Sequence, residues 1–384
     1  MKSKKILKYI LIDILGYALG MGIFLLFFYL VPYELESENK VVGSVNDVSE
    51  HEFTLPSFDS ANKDENETKP EPETEKETEP ETEKETEKET EPETEEETKK
   101  ADKKPSKKPG STNSHKNNYY GNADTDSFSG NDEDIKNLLD AEITSTILKT
   151  YNNDNVNITI TKKEFGEGND KVTYYVADIY VRTLEYFKTA LAKDTYGTNI
   201  KEKIRSLASN NNAILAVTGD SYGNNSTGIV VRNGVLYRST DNSADVCVLF
   251  TDGTMKTYAA DEFDAEEIIE EGVWQAWSFG PALLDDDGEI LDSFNTTNYL
   301  YDNHPRVAIG AVESGHYVLV VVDGRENGYS RGATISELAA IMSMENCTTA
   351  YNLDGGGSSS MVFDGKFINH ATDRSISDIV CIIP

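Results

Sequence analysis

Residues 131–384 predict an α+β domain of mixed β-sheet with flanking helices, and three features of the sequence predict it. Short β-rich runs alternate with turn residues throughout the segment. Three two-residue turns (Asn233-Gly234, Asp252-Gly253 and Asp364-Gly365) each join two such runs, a strong hairpin signal. Helical periodicity is confined to a few stretches, and local and long connections are mixed.

In chain order, Ile135, Leu138, Leu139, Ile143 and Ile147 fall at helical spacing and predict an amphipathic helix over 132–150. Val156–Thr161 and Thr173–Arg182 alternate and read as paired strands. Phe187–Ala192 and Ile200–Ser209 read as short helices, and Ala213–Thr218 as an apolar strand ending at Gly219-Asp220. Hairpins follow at 228–238 and 246–259, then a short helix over 265–271. Arg306–Val312 and Tyr317–Asp323 form a further strand pair. Thr334 with Glu337 three residues on is a capping box opening a helix to Met344. Thr348–Leu353, the hairpin 359–368 and Ile379–Ile383 complete the set.

The first 130 residues are of another kind. Ile14–Val31 carries no charge, and extending it back to Tyr9 adds only Asp13, a length that spans a bilayer core as a helix. Lys2, Lys4, Lys5 and Lys8 precede it, and Glu34, Glu36 and Glu38 follow. That bias predicts residues 1–8 in the cytoplasm, an uncleaved single-pass anchor over 9–31, and an extracytoplasmic remainder at the cell membrane. Residues 32–130 read as a disordered linker, Glu/Thr/Lys/Pro-rich over 62–109, with too few apolar groups to offset the entropy of ordering. As a spacer, 62–116 would reach at most roughly 190 Å.

The formal net charge of -32 excludes a nucleic-acid footprint, and a polyanionic substrate would need a local arginine cluster against that field. Three cysteines, Cys247, Cys347 and Cys381, lie in apolar runs and read as small buried hydrophobes. Spacing neither requires nor excludes a Cys347–Cys381 bridge, and no Cys/His pattern points to zinc.

Polar residues that could carry chemistry sit at strand ends. They are Asp220, Arg306, Asp323 with Arg325, and Asn352 with Asp354, which leads into Gly355-Gly356-Gly357 and Ser358. Successive glycines permit an anion-binding backbone nest. Arg374 is a further cation near the C-terminus.

Asn352-Leu353-Asp354-Gly355-Gly356-Gly357-Ser358, together with Pro305-Arg306-Val307-Ala308-Ile309-Gly310, Asp323-Gly324-Arg325, Ser330-Arg331-Gly332, Gly219-Asp220 and Phe279-Gly280-Pro281-Ala282-Leu283, resembles the phosphodiester glycosidases over about 170–384. Val307 stands where that family often has Thr, and Ser360 likewise; 326–329 is a variable stretch. Val217-Thr218-Gly219 replaces an Ile/Asn-Gly form.

The resemblance implies hydrolysis of the anomeric C–O bond of a sugar-1-phosphate diester, of the α-N-acetylglucosamine-1-phosphodiester kind, on a cell-surface glycan or wall polymer. It implies Asp354 or Asp220 as nucleophile or base, with Asp323 as the other carboxylate. Arg306 and Arg325 would hold phosphate, with Arg374, the Gly355–Ser358 backbone and Asn352 completing the substrate site. No cofactor is expected, although clustered aspartates could hold Ca²⁺ or Mg²⁺. The rival readings are a non-catalytic glycan-binding or exopolysaccharide-handling module, and a metal-dependent phosphodiesterase acting at phosphorus.

Overall fold

The computed structural model describes residues 32–56 and 131–384 apart from 225, 241, 242 and 286, and residues 19 and 21. The expected membrane helix over 9–31 and the tract 57–130 lie outside the described residues. Among those described, no helix is long and apolar enough to cross a membrane.

Strands dominate. One six-stranded sheet runs, edge to edge, through 349–353, 306–313, 316–322, 172–181, 156–165 and 144–152. Its strands alternate by the two-residue period of the pleat. Val307, Ile309, Leu319 and Val321 face a central core, whereas Ala308, Val318, Val320 and Val322 face the helices Ile335–Met344 and Asn131–Leu139. A second six-stranded sheet (255–258, 246–250, 273–277, 228–232, 235–240, 40–41) and a five-stranded sheet (366–367, 361–363, 215–218, 378–382, 187–191) supply the rest of the central core, through Leu249, Trp274, Val217 and Val380 among others. The helix Ile204–Asn210 covers the outer face of the five-stranded sheet with Ile204 and Leu207.

The α+β expectation and all three hairpins hold. Every strand pairing among the described residues is antiparallel, so the long connections that suggested mixed sheet lead into antiparallel partners. The Thr334 capping box forms with both of its hydrogen bonds.

Three expectations are corrected. The helix predicted over 132–150 stops at Leu139, and Thr144–Asn152 is an edge strand paired to 156–165. Thr144, Thr146, Ile147 and Thr150 are β-branched, and a partner strand that begins four residues after Asn152 outweighs the helical spacing of Ile143 and Ile147. Phe187–Leu191 is a strand, not a helix, because it pairs along its whole length with Asp378–Ile382; a run this short carries no decisive period.

The third correction concerns the linker, whose first part is folded. Tyr33–Glu34 pairs with Gly197–Thr198, Lys40–Val41 pairs with Val235–Leu236, and Val45–Ser49 forms a helix. Ser44 and Asp47 cap that helix reciprocally, and Val48 is fully buried in the central core. Low hydrophobicity averaged over 99 residues concealed one short amphipathic segment. The three cysteines are free and buried.

Candidate active site

The triple-glycine segment is a clamped loop. The strand Thr349–Leu353 delivers Asp354, whose N–H donates to the Gly219 carbonyl at 3.0 Å. A single 3₁₀ turn, Gly356–Ser358, follows. The Gly356 N–H donates to the Pro305 carbonyl at 2.8 Å, and a Cβ on Gly355 would meet that same oxygen at 2.8 Å. Gly356 has φ +60°, in the left-handed region that glycine enters without strain. Close approach on both sides thus draws the ends of three distant strands together: Gly219-Asp220, Pro305-Arg306 and Asn352-Asp354. Two of the loop's four amides bond inside the fold, Gly356 to Pro305 and Ser358 to Gly355, so the anion nest expected over 355–358 is reduced to the amides of Gly355 and Gly357.

The last two of these ends border a cavity of about 310 Å³ lined by Arg306, Arg325, Asn352, Asp354, Gly355–Ser358 and Arg374. Lys201, Ser221, Asn224, Phe279, Tyr299 and His304 also line it. Four cations therefore surround one carboxylate in a chain of net charge -32. That local reversal of sign is what an anionic substrate requires.

Arg306 is only 2% exposed, yet no carboxylate among the described residues pairs with it. Its guanidinium donates to three carbonyls, from Nε to Ala333 at 2.9 Å and from Nη2 to Leu300 at 2.6 Å and Asp302 at 2.8 Å. Burial pulls its pKa down to about 10, where it remains charged at neutral pH. A buried cation held in place by neutral dipoles is preorganised to receive an anion.

Arg325 lies over Gly356 and donates to the Tyr299 hydroxyl and to His304 Nδ1, both at 3.2 Å. Because an arginine can only donate, Nδ1 is an acceptor. Nε2 lies 2.9 Å from the Tyr299 carbonyl and must carry the proton. His304 is thus neutral, and burial, reinforced by Arg306 and Arg325, lowers its pKa. Arg374 runs beside Gly357, whose carbonyl accepts from the Thr372 hydroxyl at 2.5 Å.

Asp354 is half-buried. Desolvation raises its pKa to about 6, a hydrogen bond from Ser358 and the charges of Arg374 and Lys201 oppose the rise, and Asp220 adds to it. Asp220 does not line the cavity. It is 3% exposed, accepts from the Ser278 N–H at 3.3 Å, and lies 3.5 Å from Arg232. Asp378 accepts from the Asp220 N–H and from Arg232 Nε, both at 2.8 Å. Burial pushes Asp378 upward while Arg232 holds it down. Asp220 therefore belongs to a buried Asp–Arg–Asp cluster behind Asp354.

Asp323 is placed differently again. One of its oxygens accepts from Asn369 Nδ2 at 2.9 Å and the other from the Tyr329 hydroxyl at 2.9 Å, and the His370 N–H bridges both. It lies off the cavity and ties the 369–370 turn to its own strand end. Glu337 is the helix cap and pairs with Arg331 at 2.5 Å.

Sequence reasoning missed Arg232, Asp378, Lys201, Tyr299 and His304. Asp378 at a strand start resembles any turn aspartate, and Arg232 sits at a hairpin turn where an exposed arginine is ordinary. His304 beside Arg306 was the one legible signal. Among the described residues no three His, Cys, Asp or Glu side chains converge as metal ligands would.

The phosphodiester glycosidase family model matches residues 211–383 of this chain, so the family resemblance read from the motifs holds over that domain. A Bacillus subtilis (strain 168) protein, the SPbeta prophage-derived uncharacterized protein YomE, is 30% identical over 262 residues, covering 62% of this chain and 40% of that protein. The N-acetylglucosamine-1-phosphodiester alpha-N-acetylglucosaminidases of Bos taurus and Homo sapiens are each 32% identical over 87 residues, covering 20% of this chain and 16% of theirs. The chain thus spans well under half the length of these relatives. The catalytic domain of the zebrafish enzyme, a structure auto-inhibited by its pro-peptide, superposes with a TM-score of 0.48 at 20% identity, over 63% of this chain and 88% of that one.

Proposed function

We propose that the phosphodiester glycosidase domain of this chain hydrolyses a sugar-1-phosphate diester at the anomeric C–O bond, releasing free sugar and a phosphomonoester. One observation carries the reading. Asp354, with its pKa raised to about 6, shares a 310 Å³ cavity with three guanidinium groups and the Lys201 ammonium.

The chemistry follows from that arrangement. The diester phosphate is an anion, and Arg306, with Arg325 and Arg374 nearby, supplies fixed positive charge. As the C–O bond breaks, the electron pair moves to the phosphate oxygen, and these cations stabilise the second negative charge. A phosphomonoester leaves readily and needs little protonation. Above pH 6 Asp354 is ionised and faces the electron-poor anomeric carbon, either as nucleophile or as the base that takes a proton from water. Water supplies the hydroxyl of the free sugar and the proton that balances the phosphomonoester. His304, neutral and doubly bonded, orients Arg325. Asp220 sets the field around Asp354 from behind.

The apolar run 9–31, flanked by lysines before and glutamates after, supports an extracytoplasmic domain held at a cell membrane.

The test is hydrolysis in ¹⁸O-labelled water by the full chain. Label in the free sugar is the expected result. Label in the phosphate, or release of sugar 1-phosphate, means cleavage at phosphorus and overturns the reading.

A further inference from the structure

We infer that residues 32–56 hold the cavity at the membrane surface, and that the sugar-1-phosphate diester it takes has a membrane lipid as its other ester alcohol. The inference rests on the glycosidase reading and on the 9–31 run as anchor, and it adds where the site stands and what carries its substrate.

As a spacer between anchor and domain, the acidic tract would set the site up to roughly 190 Å from the membrane. The fold removes that role. The chain joins the domain two residues after Val31, where Tyr33 pairs with Thr198 and Glu34 with Gly197. The Leu35 N–H donates to the Tyr196 carbonyl, and those of Val42 and Gly43 to Gly234. Val48 is buried in the central core, the Phe53 N–H donates to the Arg182 carbonyl at 2.7 Å, and Asn157 donates to the Pro56 carbonyl at 3.2 Å. The tract 57–130 thus leaves from and returns to one folded unit. Whatever its conformation, it does not separate that unit from the N-terminus.

The attachment point adjoins the cavity. Lys201, in the lining, is three residues beyond Thr198. One residue of chain, one ladder spacing and three more residues bound the distance from Pro32 to Lys201 at roughly 20 Å. The contact is close-packed. A Cβ on Gly197 would clash with the Tyr33 carbonyl, and one on Gly223 would meet the Gly197 carbonyl at 2.9 Å. Asn224, next along, lines the cavity. The strand Tyr33–Glu34 therefore braces the wall that carries Lys201, Ser221 and Asn224. A site so placed meets phosphates at head-group level, which is where a lipid-borne sugar phosphate presents its diester.

The test uses the full chain in vesicles. All three native cysteines are buried, so Ser206→Cys, exposed on the helix after Lys203, takes a dye selectively. Energy transfer to an acceptor lipid is expected to be efficient. A flexible Gly-Ser insert of about 40 residues before Tyr33, with a reach of roughly 35 Å, should at least halve it. Replacing 57–130 by a short Gly-Ser loop should leave it unchanged. A lipid-borne sugar-1-phosphate diester should be hydrolysed with kcat/KM about tenfold or more above the same head group on a soluble alcohol, and the insert should erase the difference. Weak transfer in the unaltered chain, indifference to the insert, loss of transfer on replacing 57–130, or equal kcat/KM for the two substrates overturns the inference. Intact transfer with hydrolysis of neither substrate defeats the activity reading and the lipid substrate, while the placement stands.

Discussion

Asp354 follows the strand Thr349–Leu353 and precedes Gly355; Asp323 follows the strand His316–Val322 and precedes Gly324. Each strand end lies close to an arginine that lines the cavity. Their surroundings differ in hydrogen-bond supply. Asp323 accepts from Asn369, Tyr329 and the His370 N–H, which engage both of its oxygens. Asp354 has a hydrogen bond from Ser358 and otherwise faces the cavity and its cations. Two aspartates of one sequence form thus divide into a braced carboxylate and one open to the cavity, according to how many donors the fold brings to each.

The largest effect expected from this contrast is on Asp354→Asn. It should lower kcat/KM on the order of 10³-fold, because the group proposed to face the anomeric carbon loses its charge. Stability should move the other way. A carboxyl whose folded pKa is raised above its unfolded value costs stability above pH 6, and that cost vanishes as pH falls toward the usual carboxylate range. The variant should therefore melt slightly higher than the parent at pH 7.5 and equally at pH 4, by calorimetry. Unchanged turnover would place the reactive carboxylate elsewhere.

Next in size is Arg306. Arg306→Lys should cost on the order of 10²-fold in kcat/KM, since an ammonium cannot reproduce the fork that reaches three carbonyls and, as proposed, the phosphate. A Tm change alone, with kcat/KM preserved, would assign Arg306 to the fold and blur the contrast.

Asp323→Asn sharpens it from the other side. An amide nitrogen must point at donors, so the loss should be about 1–3 kcal/mol of stability in urea unfolding, with kcat/KM within roughly tenfold of the parent. A collapse of kcat with stability intact would return Asp323 to the chemistry.

The pH profile separates the two groups without mutating the cavity. With Asp354 acting ionised, kcat/KM should fall about tenfold per unit below a midpoint near 6 and be flat above it, and this limb should persist in Asp323→Asn. Activity that instead declines above 6 would make Asp354 the proton donor. The smallest effect belongs to His304→Gln, which should lower kcat/KM by less than about tenfold through a less constrained Arg325.

Hairpin turns, the capped helix and most strands were legible because their determinants are local: an Asn-Gly or Asp-Gly pair, a capping box, a period of two. The errors fall where a partner distant in sequence decides. Phe187–Leu191 became a strand because Asp378–Ile382 lies beside it, and residues 32–56 fold because Gly197–Thr198 and Val235–Leu236 accept them. At the site, Arg306, Arg325, Asn352, Asp354 and the glycines were legible from the motifs and Arg374 as a cation near the C-terminus, and they share one cavity. Arg232 and Asp378 were not, since burial and mutual distance, rather than any neighbouring residue, make them a pair.

Local sequence set the secondary-structure vocabulary, the motifs that resemble the phosphodiester glycosidases, the charged spacer-like tract and the apolar run, all of which depend on residues within a few positions of one another. Convergence of distant residues settled which aspartate faces the cavity, which arginine is buried against neutral carbonyls, and which part of the N-terminal region is built into the domain. Those outcomes depend on how many donors, acceptors and apolar faces converge from remote parts of the chain, and desolvation acts only once they have met.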